Sequence, residues 1–175
     1  QARAQSDQAI AYSLSCPAPA RHVAYVRAQF PTGGQPALDL LLPAWTPGFY
    51  GPEDHAARVD SVSARAPDGT PLTVRRTREN HWEVETRGAA AAAVAYRLRA
   101  DGHDPTGNWV GDSLIVLNGR ATYLVPALAE EGPARVTLAL PTGWTSLTPL
   151  DTASDRAPDH YRASSYAELA DAPIV

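Results

Sequence analysis

The sequence contains no methionine, no lysine and only one cysteine among its 175 residues. Without methionine the first residue is not a translation start, so the chain is expected to be processed or cut from something longer. Residues 1–9 are polar and alanine-containing, as a mature terminus is after removal of a signal peptide. They read as a processed or disordered segment, with a periplasmic or secreted location as the expectation. All basic residues are arginine; together with abundant alanine this points to a GC-rich bacterial genome. A single cysteine, Cys16, excludes an internal disulfide, and no paired base motif marks it as a catalytic thiol, so it reads as a small buried hydrophobe. No apolar run approaches the roughly 18 residues of a membrane-spanning helix. The net charge of -4 gives no reason to expect nucleic acid as a partner. The basic cluster Arg75, Arg76 and Arg78 is followed by Glu79, Glu83 and Glu85, which reads as a solvated strand face.

What is present is the rhythm of strands. Ile10, Tyr12 and Leu14 alternate with Ala11, Ser13 and Ser15. Ala24, Val26 and Ala28 alternate with Val23, Tyr25 and Arg27. The same period of two recurs in Leu38–Leu42, Val94–Leu98 and Val136–Leu140, and it means one buried and one wet face. Turn signals separate these runs: 32–34, 67–69, 101–102, 118–119 and 141–143. In Pro67-Asp68-Gly69 the proline presets one dihedral and the glycine accepts positive φ. Sixteen prolines and twelve glycines leave little room for long helices. Residues 10–175 therefore predict one all-β domain, an antiparallel β-sandwich with at most a short C-terminal helix over Ser164–Ala170, capped by Ser164 or Ser165 with Glu168 in its first turn. The alanine run 89–93 favours helix by propensity but is too short to nucleate one, so it is assigned to a loop and strand entry.

One segment stands apart. After the Leu38–Leu42 strand, Pro43, Trp45, Pro47, Gly48 and Tyr50 force a tight, rigid path. It reads as a structural corner of the sandwich, with an aromatic ligand platform as the alternative. This segment resembles the Pro-x-Trp-x-Pro-Gly-x-Tyr signature in the N-terminal domain of glycyl aminopeptidases, zinc metallopeptidases in which a catalytic domain and then a PDZ domain follow. Further marks fall in the family's order: His55 and Arg58, Trp82 and Val84, Val94-Tyr96-Leu98, Asn118-Gly119, Pro141-Gly143-Trp144 with Thr148 and Leu150, and Ser165-Tyr166-Leu169-Asp171-Pro173. Phe49, Leu117 and Ala172 depart from the usual residues.

The chemistry expected of such an enzyme is missing from this stretch. The resemblance implies a zinc-binding His-Glu-x-x-His helix in the parent, yet no two of His22, His55, His81, His103 and His160 are three to five residues apart. Asp101, His103, Asp104 and Asp112 match no standard metal loop and read as solvated, a calcium or zinc site being the alternative. Glu130 and Glu131 are adjacent and would face opposite ways on a strand. No catalytic and no metal residue is therefore assigned, and no cofactor is expected in this chain.

The sequence reads as a non-catalytic N-terminal domain, partnered by the zinc-bearing catalytic domain of the same polypeptide. Any contact with peptide substrate falls on Asn118 and Gly119, since asparagine offers both a donor and an acceptor. The plainer reading of that dipeptide is a two-residue hairpin turn. A different reading of the whole chain is a free-standing secreted module that binds carbohydrate or peptide, with Trp45, Trp82, Trp109 and Trp144 as stacking surfaces.

Overall fold

The computed structural model describes residues 9–44, 54–102, 104–127, 132–153 and 157–175. Trp45, Pro47, Gly48, Phe49, Tyr50, His103, Glu130 and Glu131 lie outside the described residues.

Along the chain come β1 (Ile10–Ser15), β2 (Val23–Pro31), β3 (Leu38–Leu41), β4 (Val59–Arg65), β5 (Pro71–Leu72), β6 (Val74–Arg78) and β7 (His81–Val84). Then follow β8 (Ala91–Arg99), β9 (Trp109–Val110), β10 (Ile115–Val116), helix α1 (Gly119–Thr122), β11 (Val125–Pro126), β12 (Ala134–Ala139), β13 (Asp151–Thr152), β14 (His160–Ala163) and helix α2 (Tyr166–Asp171). Eight strands form one sheet in the order β13-β14-β12-β1-β2-β8-β4-β5. Four form a second, β11-β3-β7-β6, and β9 pairs with β10.

The pairing is antiparallel apart from β1 against β12, which run parallel with Ile10 opposite Ala134. Such a pair needs a long crossover, and here nearly the whole domain supplies it.

Period-two patterning decides which faces meet. Tyr12, Leu14, Val26, Phe30, Val94, Tyr96 and Leu98 turn inward from the large sheet, and Leu38, Leu40, Trp82 and Val84 from the smaller one, into one buried cluster. Each such side chain contributes about 1.5–3 kcal/mol on burial. The alanine run enters β8 at Ala91, and Ala92 is fully buried opposite Phe30, so burial overrides helix propensity. The Pro67–Gly69 turn closes the β4–β5 hairpin: Gly69 takes φ 86°, its N–H donates to Ala66 O, and the Asp68 carboxylate accepts from Thr70 N at 2.9 Å. The Arg75 guanidinium is 2.6 Å from Glu83 of β7 and 3.3 Å from Glu85, so this member of the basic cluster is paired, while Arg76 donates to Glu79 O. At the C-terminus, Ser165 Oγ caps α2 by accepting from Glu168 N. The Glu168 carboxylate accepts from Ser164 N and Oγ, which holds its pKa below the usual carboxylate value.

Candidate functional site

The Asn-Gly segment is not the hairpin turn its dipeptide signals. Asn118 is extended, with φ -81° and ψ 130°, and Gly119 opens α1. The physical reason is a close approach. A Cβ on Gly119 would lie 2.2 Å from Leu169 O and 2.6 Å from Ala170 O. Glycine is required because the backbone of α2 passes directly over it.

A buried polar network holds this segment. Asn108, 3% exposed, accepts from Asn118 N at 2.8 Å through Oδ1 and donates from Nδ2 to Ala121 O. The Asn118 side-chain amide donates to Gly107 O. Thr122 Oγ1 lies 2.7 Å from Asn118 O. Tyr96 donates its hydroxyl to Thr122 O at 2.8 Å and accepts from Leu124 N, while Tyr12 donates to Leu124 O at 2.7 Å. Burial pushes the Tyr12 and Tyr96 hydroxyl pKa values well up. These phenols therefore act as neutral donors. Asn108 and Thr122 carried no sequence signal; they are isolated polar residues whose importance lies in burial alone.

In front of the network is a hollow of about 320 Å³. It is lined by Pro43 and Ala44 after β3, Arg120 of α1, Val125 and Pro126 of β11, and Tyr166 of α2. Three segments singled out in the sequence thus meet here: the first proline of the signature turn, the residue after Asn118-Gly119, and the tyrosine of the C-terminal motif. Arg120 is held by Asp171 at 2.8 Å. The hollow is mostly apolar with one guanidinium. It can seat or wall a ligand, but it presents no nucleophile activated by a base.

Other flagged residues serve elsewhere. Arg58, next to the buried His55, pairs with Asp101 at 2.5 Å. Asp104 accepts from the backbone and side chain of its own turn, which holds its carboxyl below the ordinary carboxylate range. Among the described residues no three His, Cys, Asp or Glu side chains converge on a metal position, so the described residues do not fit a zinc site. Nor do the described tryptophans build a stacking platform. Trp82 is buried beneath Arg76, Trp109 packs on the His22 ring at 5.1 Å, and Trp144 packs against the core.

The architecture is thus that of an all-β sandwich-like domain with a walled hollow and no metal cluster among its described residues. Residues 11–175 match the Peptidase M61 N-terminal domain, and the chain belongs to that family. Its fold is similar to that of an aminopeptidase N family protein from Idiomarina loihiensis, with a TM-score of 0.84 at 21% identity over 94% of this chain and 28% of that one. It is also similar to an M1 zinc metallopeptidase from Deinococcus radiodurans, solved as an E323A mutant with a Tyr-Ser-Ala substrate, with a TM-score of 0.55 at 14% identity over 95% of this chain and 41% of that one. The chain thus spans less than half the length of these structures. No curated protein sequence matches it.

Proposed function

We propose that this chain is the non-catalytic front domain of an exported bacterial zinc aminopeptidase. The observation that carries this reading is the family match over residues 11–175, set beside the small share of each related structure that the chain spans. The zinc and the hydrolytic residues then belong to a following catalytic domain, with a PDZ domain beyond it. This domain packs on the catalytic domain and walls the cleft with its hollow. Asn118 and Gly119 do not line the hollow; they set the path of the chain into Arg120, which does. The Asn118 amide donates to Gly107 O, so Asn118 anchors the start of the helix that carries Arg120. Arg120, at the rim, orients the substrate's backbone carbonyls. Such walls raise rate by positioning without touching the metal.

The test is kinetic, in the full natural polypeptide. Arg120→Ala and Asn118→Ala are expected to raise KM for dipeptide and tripeptide substrates by about tenfold, the loss of about 1.4 kcal/mol of binding. Unchanged KM and kcat in both folded variants would end the cleft role.

A further inference from the structure

Four large hydrophobic side chains stand exposed among the described residues: Tyr25, Leu114, Leu147 and Val175. Three of them gather on one groove. Leu147, 75% exposed, Leu114 and Val175 rim a trough of about 400 Å³ whose walls include Leu140, Trp144 and Ile174. An isolated exposed leucine needs no explanation, but apolar residues grouped on a groove mark a surface that another element covers.

The backbone shows how chain and groove are joined. Ile174 pairs with Leu117, N–H to O in both directions at 2.8 and 2.9 Å, and Val175 exchanges two hydrogen bonds with Leu147 at 2.7 and 2.9 Å. The segment 174–175 is therefore laid along the groove, with Ile174 buried in its wall and Val175 at its rim. The family match runs to Val175 and is an N-terminal domain, and the chain spans 28% and 41% of two related structures. In a longer polypeptide the residues after Val175 would start from the groove, since Ile174 and Val175 both line it. No carboxylate and no arginine lines the trough, so a charged partner finds no counter-charge there.

We infer that the Leu114–Leu147–Val175 groove is the seat of the catalytic domain. An apolar surface of the segment downstream of Val175 fills it and fixes the angle between the two domains. This deepens the reading above, on which it rests for the identity of the occupant. It also places docking and substrate contact on different surfaces: the groove shares no lining residue with the hollow around Arg120.

Thiol labelling tests it. Leu147→Cys is made in the full natural polypeptide and in the 175-residue chain, with Ala93→Cys, on the exposed outer face of β8, as the reference. The native Cys16 gives a low background, because burial pushes its thiol pKa up to about 11. In the 175-residue chain both introduced cysteines are expected to react with a maleimide at similar rates. In the full polypeptide Leu147→Cys is expected to react at least about tenfold slower than Ala93→Cys, as a packed interface requires. Equal rates in the full polypeptide overturn the proposal. So does protection that is present in the 175-residue chain and grows with its concentration, since a second copy then fills the groove. Zinc-dependent peptide cleavage is measured on the same preparation. If Leu147→Cys is protected but cleavage is absent, the docking stands and the peptidase reading falls. If cleavage is present and Leu147→Cys is unprotected, the docking alone falls.

Discussion

Gly119→Ala is the most informative single change in the domain. The added methyl would sit 2.2 Å from Leu169 O, 2.6 Å from Ala170 O and 2.8 Å from Ala170 C, all backbone atoms at the end of α2. No side chain can swing aside to relieve this, so α2 must move as a body. It is not free to do so, because Ser165 caps its start and the Ile174–Leu117 pairing holds the chain just beyond its end. Overpacking that forces backbone shifts costs about 1–3 kcal/mol, and this contact belongs at the upper end. The helix propensity gained by alanine is about 1 kcal/mol at most, and α1 is only four residues long. The expected net loss is about 2 kcal/mol, which for a chain of this length lowers Tm by about 4–8 °C. The assay is thermal unfolding by circular dichroism with Gly132→Ala as control, since a Cβ on Gly132 meets nothing within 4 Å. If the two variants melt within about 1 °C of each other, the close approach is not real and the account of the Asn-Gly dipeptide fails with it.

Two further outcomes follow from the same core. Tyr96→Phe strips the partner from the buried Leu124 N–H and from Thr122 O, and is expected to cost about 1–3 kcal/mol in urea unfolding. Tyr123→Phe removes a buried hydroxyl that has no hydrogen-bond partner among the described residues, and is expected to be neutral or stabilising; equal losses in the two would refute the network. Asp60 is bound by Arg97 at 2.6 and 2.9 Å, and these hydrogen bonds hold its carboxyl below the ordinary value. A carboxyl depressed in the folded state adds stability above its unfolded pKa and loses it as pH falls through the folded one. In Arg97→Gln the Asp60 titration followed by NMR should therefore move up toward the usual carboxylate range, and the acid limb of the stability profile should flatten; an unmoved titration would contradict the pairing.

The strands were legible because each carries its own signal. Ile10-Tyr12-Leu14 and Ala24-Val26-Ala28 declare their buried face by alternation alone, and the structure buries those residues. The Pro67–Gly69 turn was legible for the same reason, since its dihedral demands are met inside four residues. Parallel pairing of β1 with β12 was not legible, because two alternating strands look the same whichever way they run. The bulge in β4 between Asp60 and Ser63 was equally hidden; there Ser61 takes φ 55°. Asn118-Gly119 shows local signal and tertiary demand in direct conflict. The dipeptide suits a turn, but its glycine answers a helix fifty residues away.

The candidate site was the least legible part, and topology explains why. Pro43, Arg120 and Tyr166 are brought together by two very short pairings distant in sequence. One sets Val125 against Leu41, and the other sets Leu117 against Ile174. Neither is long enough to leave a periodic pattern. Their loop-closure cost is instead met by the core they sit upon, with Leu40, Leu42, Leu117, Leu124 and Leu169 all buried. The second of these pairings also continues into the Val175–Leu147 contact at the rim of the apolar groove. A domain that covers the groove would therefore press on the same short strand that carries α2 over Gly119. The proposed docking groove and the hollow are thus linked through a single stretch, 169–175, whose Asp171 holds Arg120 and whose Val175 lines the groove. Under the docking proposed above, a shift at the groove would reach Arg120 through its ion pair with Asp171, and Asn118 through the Ile174–Leu117 hydrogen bonds beside it, a route that no side-chain motif would reveal.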